Sequence, residues 1–341
     1  MPIERRADCP IASLTPVLPL RVLSHEVSRG VKNENCGNAT IYLAFPENYM
    51  TGFKVLDPQA TAIMPDKKVI SCSRRADIPR CHSGWLEEAL RAGSLNFRSP
   101  RGIKKEVSLR EEDVHSIVLW SKGYRPLLSR DGLVNRLHNL NPFFHFTITG
   151  LGGTGWEPGV PPWMEATMEM ADLINVFGPA RVKWRFDPVV HWQDQNGALK
   201  SNLPLFSVIG EQVAALGVSE CTFSFVNWYA KSKRRAQRNR RDYIELTAEA
   251  KQVAAREIAR EAGLLGIRLS SCASDDLLTA AGIAKASCVN GRLLAGLRED
   301  GEAASVARDR SQRGQCGCTV STDIGRYQQS CEAPCVYCYA N

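Results

Sequence analysis

Six apolar runs, each followed by an amphipathic or polar stretch, recur between Lys68 and Ser270, and this rhythm constrains the chain more than any other feature. The runs are Val69–Cys72, Ser116–Trp120, Phe143–Thr149, Arg181–Arg185, Glu220–Val226 and Gly266–Ser270. All have strand length, and β-branched and aromatic residues fill most of them. Apolar residues at helical spacing predict helices over Trp85–Ala92, Glu165–Phe177, Leu203–Leu216 and Leu246–Ala262. Gly178 with Pro179, and Gly217, are stop signals for two of them. Ser94–Val107 reads as a polar loop or hairpin, and Ser108–Asp113 opens like a capped helical turn. Strands alternating with helices predict an α/β fold with a parallel sheet. Six units are too few to close an eight-stranded barrel. The alternation stops at Ser271, which divides the chain into an N-terminal extension (1–65), the alternating region (66–270) and a C-terminal segment (271–341). The extension is hard to read. Thr40–Phe45 is a strand candidate, but Pro46, Gly52 and Pro58 break the pattern.

In parallel α/β folds, ligands bind beyond the carboxyl ends of the strands. Those ends carry Arg74, Lys122, Thr149, Arg185 and Asp187, together with Ser224 and Asn227. A core does not need Arg185 and Asp187 there. Either they form a structural ion pair at the rim, or Arg and Lys at these ends grip carboxylate or phosphate groups.

The C-terminal segment holds seven of the twelve cysteines. Cys331, Cys335 and Cys338 fall in the spacing C-x3-C-x2-C, with Tyr339 directly after the third. Three thiolates on one short loop can hold three irons of a 4Fe–4S cube and leave the fourth iron without a protein ligand. A structural zinc site is instead closed by a fourth Cys or His, which elsewhere in the chain could supply. Cys272, Cys288 and the C-x-C pair Cys316 and Cys318 form a further set. Together they suit a second Fe–S cluster or a structural zinc. Alternatively one of the C-x-C thiols serves the first cluster, or all four are buried thiols. Cys9, Cys36, Cys72, Cys81 and Cys221 are scattered and read as small buried hydrophobes.

Composition narrows the class. Hydrophobic residues make up 44% and charged residues 23%, ordinary for a globular protein. No run of 18 apolar residues and no signal-type apolar stretch is present, so a cytoplasmic protein without membrane contact is expected. Twelve cysteines in such a setting point to metal rather than disulfides. The net charge is +7, concentrated in Lys231–Arg241. That run is either a solvated face or a nucleic-acid contact.

The Cys331–Tyr339 spacing resembles the cluster loop of radical S-adenosylmethionine (radical SAM) enzymes. The resemblance implies a partial (β/α)6 TIM-like barrel with a C-terminal Cys-rich extension. It implies a 4Fe–4S cluster on Cys331, Cys335 and Cys338, with SAM on the open iron and Tyr339 beside the adenine. It also implies an electron donor such as a flavodoxin or ferredoxin, and Arg74, Lys122, Thr149, Arg185 and Asp187 as contacts to SAM or to an unknown substrate. Most members carry the motif near the N-terminus, unlike this chain. Ser73–Pro79, Phe146–Gly150, Arg185–Pro188, Ser224–Val226, Gln315–Cys318, Asp323–Gly325 and Cys335–Asn341 together resemble the DUF1848 family. That bacterial family of unknown function is noted for a C-terminal cysteine cluster like that of radical SAM proteins. The resemblance covers roughly Lys68 to Asn341 and implies that Cys272 and Cys288 are recurring positions. Ala76 stands where the family usually has Thr, and the basic run is heavier than the family's. The alternative outside this class is a nucleic-acid-binding protein with a structural Fe–S or zinc tail.

Overall fold

The computed structural model describes residues 67–98, 104–272, 274, 277, 282–326, 328–332 and 334–339. The expected N-terminal extension, with Thr40–Phe45, Cys9 and Cys36, lies outside the described residues. In chain order the elements are β1 (Lys68–Cys72), α1 (Ile78–Cys81), α2 (Ser83–Ala92), β2 (Ser94–Arg98), β3 (Lys104–Ser108) and β4 (Val114–Ser121). Then come α3 (Arg125–Leu128), α4 (Asp131–His138), β5 (Pro142–Thr147), α5 (Trp163–Phe177), β6 (Val182–Val189), β7 (His191–Gln193) and β8 (Leu199–Ser201). α6 (Leu205–Ala215), β9 (Glu220–Phe225), α7 (Ala230–Arg238), β10 (Asp242–Ile244), α8 (Ala248–Leu264) and β11 (Arg268–Ser271) follow. The last elements are β12 (Ile283–Lys285), α9 (Gly291–Gly296) and β13 (Thr322–Asp323).

Eight strands form one parallel sheet in the order β12-β11-β9-β6-β5-β4-β1-β13. All six expected strands are present and neighbour one another in chain order. The alternation does not stop at Ser271, however. Ile283–Lys285 extends the sheet beyond β11, and Thr322–Asp323 returns to the opposite edge beside β1. Neither is long enough for a period of two to show in the sequence. Ser94–Arg98 and Lys104–Ser108 do pair as a hairpin. Ser108–Asp113 is a turn rather than the start of a helix: Ser108 Oγ donates to Asp113 Oδ2 at 2.5 Å, and the chain passes directly into β4.

Register sorts the side chains onto two unlike faces. Ile70 aligns with Ile117, Leu119 with Phe144, Phe146 with Trp184, and Trp184 with Cys221. These side chains are fully buried in one cluster with the helices, including Leu86, Met170, Phe206, Ile209 and Ile258. Burying each large side chain there contributes about 1.5–3 kcal/mol. The other face is polar: Trp120 aligns with His145, His145 with Lys183, Thr147 with Arg185, and Arg185 with Thr222.

The segment after β12 straps across this polar face. It is held by Asn141 Nδ2 to the Leu294 oxygen (2.9 Å), Arg181 Nη2 to the Leu297 oxygen (2.8 Å) and Arg298 Nη1 to the His115 oxygen (3.0 Å). Val69, Val118 and Phe143 pack on Val289, Leu294 and Ala304 beneath it. The strap then enters β13, and Asp323 Oδ2 accepts from Ser71 Oγ and from Arg74 N, both at 2.9 Å. A Cβ on Gly325 would lie 1.8 Å from Ser73 Oγ, so only glycine lets the chain cross flush over the end of β1.

Candidate functional site

The crossing at Gly325 delivers the triple-cysteine loop to the carboxyl ends of the strands. His82, just after α1, has Nε2 3.1 Å from the Ser330 oxygen. The Cys81 thiol, at the end of α1, donates to the Cys331 sulfur. Val336 N donates to the Trp156 oxygen at 2.9 Å, and Tyr339 OH donates to the Arg74 oxygen at 2.7 Å. Arg235 of α7 donates from Nη1 to the oxygens of both Cys335 and Cys338, each at 2.9 Å. The loop is thus tied to the ends of β1 and α1, to the loop after β5, and to α7.

Beneath the loop lies a buried carboxylate. Glu157, 1% exposed, accepts from Lys122 Nζ at 3.0 Å, from Thr149 Oγ1 at 2.5 Å and from the Tyr337 hydroxyl. Lys122 is anchored through its backbone as well: Asp77 accepts from Lys122 N at 3.1 Å and from Ser121 Oγ at 2.6 Å. Burial pulls the Lys122 pKa down, but Glu157, with Cys335 and Asp187, outweighs it and raises the pKa above its ordinary value. Trp156, Trp192, Trp228, Val336 and Tyr337 pack around Cys335.

The thiols of the loop differ. The hydrogen bond from Cys81 lowers the Cys331 pKa to about 6. Burial pushes Cys335 up to about 12, with Glu157 adding to the rise and Lys122 opposing it. Arg80, Lys122 and Arg235 give the loop a cationic surround, which suits an anionic thiolate-bound group.

The remaining four cysteines of the C-terminal segment meet on the polar face of the sheet. Cys272 follows β11, Cys288 follows β12, and Cys316 and Cys318 belong to the strap. Cys288 accepts hydrogen bonds from the Cys272 and Cys318 thiols, and Cys318 also contacts Cys316. Arg185 Nη1 lies 3.0 Å from Cys288 Sγ. His145, fully buried and stacked on Trp120 with ring centres 5.0 Å apart, has Nε2 2.7 Å from the Cys288 oxygen.

The expected ligand contacts divide between these two groups. Tyr339, on the triple-cysteine loop, bonds the Arg74 oxygen, and Lys122 and Thr149 meet at Glu157 beneath the loop. Arg185 and Asp187 form an ion pair, with Ser224 Oγ also on Asp187, and Arg185 reaches toward Cys288. Arg74 lies over the Trp120 ring at 5.4 Å, and its Nη2 is buried without a hydrogen-bond partner.

Three participants were not singled out by the sequence. Cys81, read as a buried hydrophobe, is partly exposed and touches Cys331. Arg235 is not a solvated charge: Ser232, Arg235 and Ala236 form the buried face of α7. Their i, i+3, i+4 spacing was the available signal. Glu157 sits in a glycine-rich loop, where no periodicity marks it.

Fold and site together define an α/β protein whose parallel sheet carries cysteine groups on its polar face and at its carboxyl end. The chain belongs to the family described as domain of unknown function (DUF1848), which it matches over residues 69–340. No curated protein matches the chain. Among solved structures, the crystal structure of Streptococcus suis SuiB bound to precursor peptide SuiA is similar at 10% identity with a TM-score of 0.30. The similarity covers 68% of this chain and 44% of that one, so this chain spans less than half of that protein's length. Among the described residues no helix is long and apolar enough to cross a membrane.

Proposed function

We propose that this protein is a radical SAM enzyme built on an open, partial (β/α)6 barrel, with its cluster loop supplied by the C-terminal segment. The observation that carries the proposal is the position of Cys331, Cys335 and Cys338 at the carboxyl end of a parallel sheet, against Arg74 and α1. This is the end where parallel α/β folds bind ligands.

The donor types and their spacing suit the group, and binding would draw together three thiols that do not yet converge as a metal shell. Cys331, Cys335 and Cys338 would hold the irons, and Arg80, Lys122 and Arg235 offset their charge. Bound there, a 4Fe–4S cluster with SAM supplies the one-electron reductive cleavage of SAM. The residues of the chain then have defined tasks. Arg235 fixes the loop backbone through the Cys335 and Cys338 oxygens. Glu157 sets the height of the loop through Tyr337 and Lys122. Arg74 offers its unpartnered Nη2 to a carboxylate, as SAM carries. Tyr339, tethered to Arg74, lines the adenine side. The tryptophans around Cys335 exclude water, as radical chemistry requires. Arg185, Asp187 and Thr149 line the substrate side.

The test is incubation of anaerobically reconstituted, dithionite-reduced protein with SAM, followed by assay of 5′-deoxyadenosine. The expected result is product that vanishes in Cys335→Ala. Iron binding without any SAM cleavage product would overturn the proposal.

The second reading, nucleic-acid binding, is supported by Lys231, Arg234 and Arg238, which stay exposed on the outer face of α7. It predicts salt-dependent binding to DNA or RNA, and no binding at low salt would remove it.

A further inference from the structure

We propose that Cys272, Cys288, Cys316 and Cys318 bind one zinc ion as a closed structural site, separate from the Cys331–Cys338 loop and independent of its function. The four thiols come from three places: the end of β11, the end of β12, and a knuckle in the strap. All four lie in one packed cluster, and Val289 N, next to Cys288 in the chain, donates to Cys318 Sγ at 3.4 Å.

The compact packing of the four cysteines favours zinc over a cluster. A zinc–sulfur bond of about 2.3 Å places tetrahedral thiolates about 3.8 Å apart, within sulfur hydrogen-bonding range. A 4Fe–4S cube instead keeps its four thiolates apart by the width of the cluster, each on its own corner. Among the described residues no three His, Cys, Asp or Glu side chains already converge as a metal shell. Closure asks Cys272 and Cys316 to turn inward, and both are partly exposed while Cys288 and Cys318 are buried.

The surroundings are those of a thiolate group. Arg185 Nη1 lies 3.0 Å from Cys288 Sγ, and Val289 N donates to Cys318 Sγ at 3.4 Å. Donors of this kind hold ligands in place and offset their charge. Ser271, 1% exposed and next to Cys272, has an Oγ without a hydrogen-bond partner, a spare donor beside the first ligand. The knuckle is shaped for close approach. A Cβ on Gly317 would lie 2.6 Å from the Ala286 oxygen, so glycine lets the C-x-C turn sit against the chain that carries Cys288. Binding exchanges four S–H bonds for four Zn–S bonds: Zn2+ and four thiols give a tetrathiolate complex and release four protons to solvent. No oxidant or reductant is involved. The ion ties the strap to the ends of β11 and β12, upstream of the crossing that delivers the triple-cysteine loop.

The test is the metal content of the full chain purified anaerobically, in wild type, Cys335→Ala and Cys316→Ser/Cys318→Ser, with circular dichroism as the fold control. The expected result is one zinc per chain in wild type and in Cys335→Ala, falling roughly tenfold or more in the double variant. Cobalt-substituted protein should show intense thiolate-to-cobalt charge transfer that the double variant lacks. Should the double variant fail to fold, Cys316→Ser alone reads the same cobalt bands, since its side chain is partly exposed. Absence of zinc, zinc retained in the double variant, or iron with inorganic sulfide surviving in Cys335→Ala would each overturn the proposal. Because Cys335→Ala removes only the other group, failure here and failure of the radical SAM reading give different results.

Discussion

Arg235 donates from Nη1 to the main-chain oxygen of Cys335 at 2.9 Å. The same nitrogen reaches the Cys338 oxygen at 2.9 Å, so one buried guanidinium holds both ends of the turn. Bonds from a charged donor contribute about 1.5–3 kcal/mol each. Arg235→Ala should loosen the loop, lower iron incorporation several-fold and speed amide exchange across 335–339. Arg235→Lys keeps the charge and one donor and should recover part of the loss. Unchanged exchange in Arg235→Ala would show that the loop is held by its other contacts.

Glu157 and Lys122 form the buried pair beneath that loop, 3.0 Å apart. Removing one partner leaves the other desolvated and unpaired, which costs about 3–5 kcal/mol. Glu157→Gln keeps the shape and removes the charge, so Lys122 should lose its support and the protein about 3 kcal/mol in urea unfolding. Lys122→Met alone should cost a similar amount. The double variant should cost clearly less than the sum. Strict additivity would mean that the two side chains act independently.

What the sequence revealed follows the physics of each residue. The six strands were legible because each needs a helix-facing apolar set, such as Phe144 and Phe146 or Trp184 and Phe186, within a short run. β12 and β13 were not, since three residues and two residues carry no readable period. The C-x-C pair and its two upstream cysteines could be grouped by type, and the fold packs all four residues in one cluster. The position of Cys81 could not be read, because its neighbour Cys331 comes from a segment that returns only through β13. Arg235 was hidden by its own context: a lone inward arginine among outward ones looks like part of a charge run.

Cys81 decides whether the triple-cysteine loop has an open corner. Its thiol touches Cys331, which makes it the nearest candidate for a fourth ligand. An enzyme that binds SAM at iron must leave that corner to SAM. Cys81→Ala should therefore keep its iron, sulfide and visible absorbance, while Cys331→Ala loses them. The measurement is iron and sulfide per chain after anaerobic reconstitution. Equal loss in both variants would close the fourth corner with Cys81 and turn the loop into a structural or electron-transfer site.

His115 makes the strap sensitive to acid. Its Nε2 lies 3.0 Å from the Glu302 oxygen and its Nδ1 2.6 Å from Ser116 Oγ. A carbonyl can only accept, so the hydrogen-bond network assigns the proton to Nε2 and leaves Nδ1 to accept from the serine hydroxyl. Ser116 Oγ in turn accepts from Asn141 Nδ2 at 2.8 Å, and Asn141 holds the strap at Leu294. A second proton on the ring would turn Nδ1 into a donor against a hydroxyl already arranged to donate. Burial lowers the His115 pKa below its ordinary 6.5; the Glu302 carbonyl, Glu302 and Asp300 pull upward, and Arg298 adds to the lowering. With a depressed folded pKa, the unfolded chain takes up a proton first as the pH falls through about 6.5, so stability drops with falling pH. One such proton changes stability by at most about 1.4 kcal/mol per pH unit, until the folded pKa is reached. His115→Gln removes the titration and should flatten the stability curve below pH 6.5 relative to wild type. Amide exchange in 291–302 should rise first in acidified wild type and less in the variant. Parallel curves for the two proteins would assign the acid sensitivity to other groups.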